Sequence, residues 1–289
     1  MDLFSASLDG LNLAGQVVMH ILFTGRLTGK KSKIWHFVLY FFQLCVIWFV
    51  SNRFSLSGTP SVIAGVLALY ATGRFGMGNQ QLVSWLCAVL AFYISQLSFG
   101  IINSVEAAFF PRFIGSPLLY LLLFAAQVLF FSLCICCYCA VLGLLARTED
   151  SWTPYTGLLL FPSLFFLAAE LYILQMDYSF FLPIISLKEV GKHSTLLLLQ
   201  LIGLAALFCT LYAYRQLCRG FAAQAELQSL AQAARAQKVY ISEAQARYEQ
   251  TRTFRHDIKN HLSVLDGLLR GGRLEEGREY LKKLETASE

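Results

Sequence analysis

Ten residues near the end of the chain, Thr253–Leu262 (TFRHDIKNHL), put two histidines, an aspartate and an asparagine within three helical turns. An imidazole that is neutral near pH 7 keeps a free lone pair and is a competent nucleophile. Asp257, beside His256, can hold the imidazole tautomer or take its proton during attack. Asn260 lies one turn on, on the same helix face, where it can orient a phosphoryl oxygen or a water. His–Asp pairs also occur in metal hydrolases. Those sites need further converging ligands, and this tail offers no suitable array, so no metal is expected.

The element that must carry these residues is a long helix. From Arg215 onward the sequence is rich in Ala, Gln, Glu, Arg and Leu and contains no proline, a composition of helix formers. With Leu227 at heptad position a, the a positions run Leu227, Ala234, Ile241, Tyr248, Arg255, Leu262 and Leu269. The d positions are Leu230, Gln237, Ala244, Thr251, Ile258 and Leu265. This seam is weak in the middle and strong from Ile258 to Leu269, and it calls for a partner helix. His256 falls at b, Asp257 at c and Asn260 at f, away from the seam; His261 falls at g, a flank position. The segment 215–251 reads either as a coiled-coil signalling helix or as a spacer, because heptads report pairing and not movement. Gly271 and Gly272 then break the helix. A second helix follows with Leu274, Leu281 and Leu284 on one side, so 252–289 is expected to be a helical hairpin. A hairpin this small buries too little surface alone. A homodimer through 227–285, closing a four-helix bundle, is the expectation.

The remaining residues, 1–214, are of another kind. The chain is 56% hydrophobic and 14% charged, against about a quarter charged in soluble domains. Residues 1–214 hold 18 charged side chains and 215–289 hold 23, which puts a boundary near Tyr214. About seven stretches are apolar enough for a bilayer: 7–25, 34–51, 59–73, 81–102, 117–145, 156–174 and 195–214. The expected fold is therefore all-α, a polytopic membrane helix bundle followed by a signalling helix and a hairpin. Short loops on one side carry eight Lys/Arg (Arg26, Lys30, Lys31, Lys33, Arg74, Arg147, Arg215, Arg219) and those on the other carry four. This bias places the N-terminus outside and the tail in the cytoplasm of a cell-membrane protein surrounded by lipid. A net charge of +5 without a basic block gives no reason to expect nucleic acid. The cysteines, including the run Cys134–Cys139, lie mostly in apolar stretches and imply no disulfide framework. Polar residues within spans are candidates for function. Glu170 and His20 are the candidate ligand-binding residues, with Gln43, Gln96, Gln127 and Gln200 behind them. The longest outer loop, 175–194, is oily enough to cover a pocket.

The stretch FRHDIKNHL resembles the phosphoacceptor box of sensor histidine kinases in the peptide-sensing, accessory-gene-regulator-like group, whose dimerisation hairpin is of the sporulation-phosphotransferase type. The resemblance implies that His256 is the phosphorylated residue, that Asp257 is its acid/base neighbour and that Asn260 aids phosphotransfer or dephosphorylation. Arg255 and Lys259 would steady phosphate charge. It further implies a homodimer, a response regulator as partner, quorum sensing through an extracellular peptide, and a GHKL-type ATP-binding domain after the hairpin. Neither the asparagine box nor the glycine-rich box of that domain occurs in the 289 residues. ATP and Mg are thus expected only for a catalytic domain outside this chain. Three readings stand: the sensor and hairpin part of a histidine kinase, a kinase-dead membrane phosphotransfer partner or decoy, and a polytopic binding or transport protein with a dimerising tail.

Overall fold

The computed structural model describes residues 2–54, 58–113, 116–145, 152–178 and 190–288. Every regular element among them is helical: α1 (Asp2–Leu27), α2 (Ile34–Phe54), α3 (Gly58–Ala71), α4 (Gln81–Phe109), α5 (Leu118–Leu145), α6 (Trp152–Tyr178), α7 (Val190–Arg270) and α8 (Leu274–Ser288). A π-helical turn, Thr72–Gly76, extends α3, and a 3-10 turn, Phe110–Phe113, extends α4. The all-α expectation holds. The chain divides into two compact units, Met1–Gly220 and Phe221–Glu289.

In the first unit α4 is the central helix. From Leu86 to Ile94 every residue is buried, as a helix apolar on all sides must be. Around it, α2 turns Phe42, Phe49 and Trp35 outward, and α6 does the same with Phe161 and Phe165. Such an apolar exterior suits lipid and not water. Among the described residues, five helical stretches have the length and composition to cross a membrane: Ile34–Phe54, Gln81–Phe109, Leu118–Leu145, Thr156–Ile173 and one beginning at Ser194 within α7. The seven expected stretches all form helix, but two of them fall outside this set. α3 has 14 residues and rises about 21 Å, short of a hydrocarbon core of about 30 Å. α1 is long enough, but Asn12, Gln16, His20 and Thr24 recur every fourth residue and dilute it. The outer loop at 175–194 lies largely outside the described residues.

Basic residues that the orientation argument counted also brace the bundle. Lys30 Nζ donates to Met77 O at 3.0 Å and to Gly78 O, and Arg74 Nη1 donates to Asn79 O at 2.8 Å. These bonds take up carbonyls just beyond the wider π turn, where the helical hydrogen-bond ladder ends.

In the second unit, α7 runs unbroken through 221–270 and meets α8 at a Schellman motif. Arg273 N–H donates to Leu268 O at 3.0 Å, and Gly272 N–H to Leu269 O at 3.1 Å. Gly272 has φ 71°, a left-handed conformation that only glycine adopts cheaply. Of the two glycines in the break, Gly272 is the one the turn requires. The expected hairpin is present, and its inner face is set by α8. His261, Leu265 and Leu268 on α7 are partly covered, as are Tyr280 and Leu284 on α8. Within the strongest part of the heptad seam, Ile258, Leu262 and Leu269 stay exposed while Leu265 is partly covered.

Candidate functional site

An exposed stretch of α7 in the second unit carries the candidate nucleophile. The His256 side chain is 72% exposed and that of Asp257 is 56% exposed. Asp257 Oδ1 lies 3.6 Å from His256 Nδ1. Asn260 Nδ2 lies 3.1 Å from the same nitrogen. A helix brings residues i and i+4 together without any tertiary contact, so this constellation follows from the sequence alone. Arg255 and Lys259, on either side, make no ion pair among the described residues.

The two contacts at Nδ1 pull in opposite directions. With Asn260 donating from Nδ2, Nδ1 holds the lone pair and the ring proton sits on Nε2. The Asp257 carboxylate can only accept, and so favours a proton on Nδ1. Half a turn of the Asn260 carboxamide presents Oδ1 to that proton and leaves the lone pair on Nε2. Carboxamide orientation and imidazole tautomer are therefore linked.

His261, the second histidine of the motif, has a different setting. Its Nδ1 is 2.8 Å from Tyr280 Oη of α8, with the two rings 6.0 Å apart. It closes the hairpin. Tyr280 was not among the sequence candidates; its only sequence signal is an aromatic within an otherwise charged helix.

The first unit contains a buried hydrogen-bonded chain through His20, which is 0% exposed. Tyr138 Oη donates to Ala91 O at 2.8 Å, which uses its one proton. Ser95 Oγ, 2.9 Å from Tyr138 Oη, must then donate to it. His20 Nε2, 3.0 Å from Ser95 Oγ, must in turn donate to Ser95. Nδ1 of the neutral ring is left to accept from Tyr40 Oη at 2.9 Å. The order Tyr40, His20, Ser95, Tyr138, Ala91 satisfies each group and ties α2, α1, α4 and α5 together. Tyr40, Ser95 and Tyr138 were not sequence candidates, because convergence of single residues from four helices leaves no spacing to read.

Glu170 is 3% exposed between α4 and α7, and its Oε1 has no hydrogen-bond partner among the described residues. Gln200 is its polar neighbour, and Ser104 Oγ donates to Gln200 Oε1 at 3.2 Å. Gly100 makes room here: a Cβ at that position would lie 2.0 Å from Gln200 Nε2. Glu170 and His20 are not brought together. His20 belongs to the chain just described, and Glu170 to a separate cluster. Gln43 accepts from Thr72 at 3.0 Å, and Gln127 donates to Asn12 at 3.3 Å. Gln96 lines a cavity of about 360 Å³.

Cys134 and Cys137 are buried while Cys136 and Cys139 face out, so the cysteine run of α5 diverges around the helix. No metal-holding cluster of His, Cys, Asp or Glu occurs among the described residues. The described part of the second unit is two helices.

Residues 236–289 match the family described as Sensor kinase SpoOB-type, alpha-helical domain. The match covers the hairpin, the candidate histidine and the preceding turns of α7, and it marks the chain as a signalling protein of sensor-kinase type. Comparisons with curated proteins and with solved structures gave no match.

Proposed function

We propose that the chain is the membrane sensor and phosphoacceptor part of a two-component system, with His256 as the residue that carries phosphate. The observation that carries this reading is the pairing of His256 with Asp257 and Asn260 at Nδ1, on an exposed helix face inside the segment that matches the sensor-kinase domain.

In the reactive form Nδ1 bears the proton, held by Asp257 and by Oδ1 of a turned Asn260. The Nε2 lone pair attacks phosphorus of an incoming donor, an N–P bond forms, and the donor's P–O bond breaks toward its leaving group. The Nδ1 proton then passes to Asp257, which keeps the ring from accumulating charge. Arg255 and Lys259 offset the phosphoryl charge. An aspartate on a response regulator takes the phosphoryl group in the next step. The donor is delivered by a catalytic domain that this hairpin does not itself provide.

Ile258, Leu262 and Leu269 remain uncovered within one copy. A second copy of the hairpin would bury them and complete a four-helix bundle. The apolar unit sits in the cell membrane with its N-terminus outside and its tail in the cytoplasm, and an extracellular ligand, a peptide by the resemblance, acts on it. Glu170 and His20 serve that ligand response from within the bundle, as groups that position others. α7 carries Gln200 in the first unit and His256 in the second without a break, so it is the element to convey the signal. Phosphate uptake by the full chain and by His256→Gln, supplied with a donor kinase domain, tests the proposal. Equal uptake by the two would refute it.

A further inference from the structure

Four residues of α7 share the face that carries the candidate nucleophile. Glu249, Arg252, His256 and Asn260 follow one another at spacings of three and four residues, which keeps them in one strip along a helix. All four are exposed.

The imidazole has a direction along this strip. Both groups that meet Nδ1, Asp257 Oδ1 at 3.6 Å and Asn260 Nδ2 at 3.1 Å, come from residues C-terminal to His256. Nδ1 is therefore on the C-terminal side of the ring, and the Cδ2–Nε2 edge is on the N-terminal side. Side chains of a helix also lean toward its N-terminus. A phosphoryl group on Nε2 accordingly stands over the preceding turn, where Arg252 and Thr253 lie.

Those two residues differ in what they can give. The Thr253 hydroxyl already donates to Glu249 O at 3.0 Å and has no second proton. Arg252 has a guanidinium with a fork of N–H donors. Its ion pair is with Glu249, Nη1 to Oε1 at 3.7 Å, longer than a hydrogen bond. Both side chains are mostly exposed, and a long contact of that kind holds weakly. Arg255, the sequence neighbour of His256, lies about 100° round the helix at seam position a. Residues at i and i+1 do not share a face.

We infer that Arg252 is the residue that binds the phosphoryl group on His256, leaving Glu249 to do so. The guanidinium turns from the carboxylate to the phosphoryl oxygens, which carry the greater charge and match its fork. Glu249 holds Arg252 while His256 is bare. Arg255 and Lys259 add charge from the flanks without this contact. The inference deepens the reading of His256 as phosphoacceptor and rests on it.

The full chain in maltoside micelles, which contain no phosphorus, is treated with potassium phosphoramidate, a donor that needs no kinase domain. The Nε2 lone pair attacks phosphorus, the phosphorus–nitrogen bond of the protonated donor breaks, ammonia leaves, and the Nδ1 proton passes to Asp257 and on to water. ³¹P magnetic resonance then follows the phosphoryl group from mildly acidic to alkaline pH, with His256→Gln identifying its signal. A guanidinium in contact favours the dianion. The titration midpoint of Arg252→Gln should therefore lie about half a unit above that of the native chain, the scale of an exposed charge pair. Arg252→Lys should restore most of that difference, and Arg255→Gln should move the midpoint less than Arg252→Gln does. Glutamine is close to arginine in helix propensity, and circular dichroism checks that helix content is unchanged. Equal midpoints in the native chain and Arg252→Gln, or a larger rise in Arg255→Gln, would overturn the inference and leave His256 as phosphoacceptor. A native chain whose His256 takes no phosphate would overturn that reading, and this inference with it.

Discussion

Asn260 Nδ2 lies 3.1 Å from His256 Nδ1, one turn apart on the exposed face of α7. Through that contact a carboxamide decides which imidazole nitrogen is free to react, and the Asp257 carboxylate, 3.6 Å from the same atom, biases the outcome. Because all three residues lie on one helix, their geometry survives any motion that leaves α7 helical.

Asp257→Asn should shift the His256 tautomer toward Nε2–H and slow phosphate uptake about a hundredfold, the low end of general acid–base effects. Histidine ¹⁵N shifts of the full chain, with His256→Gln used to assign the signal, report the tautomer. An unchanged tautomer and rate would remove Asp257 from the account.

Leu262→Asp should separate the dimer. Leu262 is 60% exposed in one copy, and a seam position that is buried only by the partner does not tolerate a carboxylate. Association should weaken by about 2 kcal/mol or more, some thirtyfold. Cross-linking through residues flanking the seam measures this. The same substitution at Glu243, on the opposite kind of surface, should leave the dimer intact.

Tyr280→Phe should loosen the hairpin without touching the nucleophile. It removes the 2.8 Å contact to His261 Nδ1, a loss of about 1 kcal/mol for a partly covered bond. Amide hydrogen exchange in α8 should rise while His256 still takes phosphate.

Tyr138→Phe acts in the first unit. It leaves the Ser95 hydroxyl without an acceptor, at about 1–3 kcal/mol. Tyr172→Phe, at an exposed position of α6, should cost less than about 0.5 kcal/mol. Thermal unfolding of both variants in nanodiscs compares them.

What could be read beforehand follows from the range of the interactions involved. The hairpin was legible because its signals are local: a heptad seam, the Gly271–Gly272 break and leucines at helical spacing in α8. The relation of His256 to Asp257 and Asn260 was legible for the same reason. Which glycine takes the left-handed conformation was not, since either could close the turn. In the first unit the apolar stretches announced helices, but not which of them are long enough to cross. Of the α1 residues Asn12, Gln16, His20 and Thr24, which recur at every fourth position, only His20 was singled out beforehand. What they meet, Tyr40, Ser95, Tyr138 and the cavity wall, depends on how six helices pack, and no single stretch encodes that.

The most direct test of the central claim is to isolate the chain from cells that carry the whole system, keep it at neutral to alkaline pH, and locate phosphate by peptide mass spectrometry. Phosphohistidine at position 256, lost in His256→Gln and kept in His261→Gln, is the predicted result. Phosphate that persists in His256→Gln, or a chain that never carries phosphate while its response regulator is phosphorylated, would contradict it.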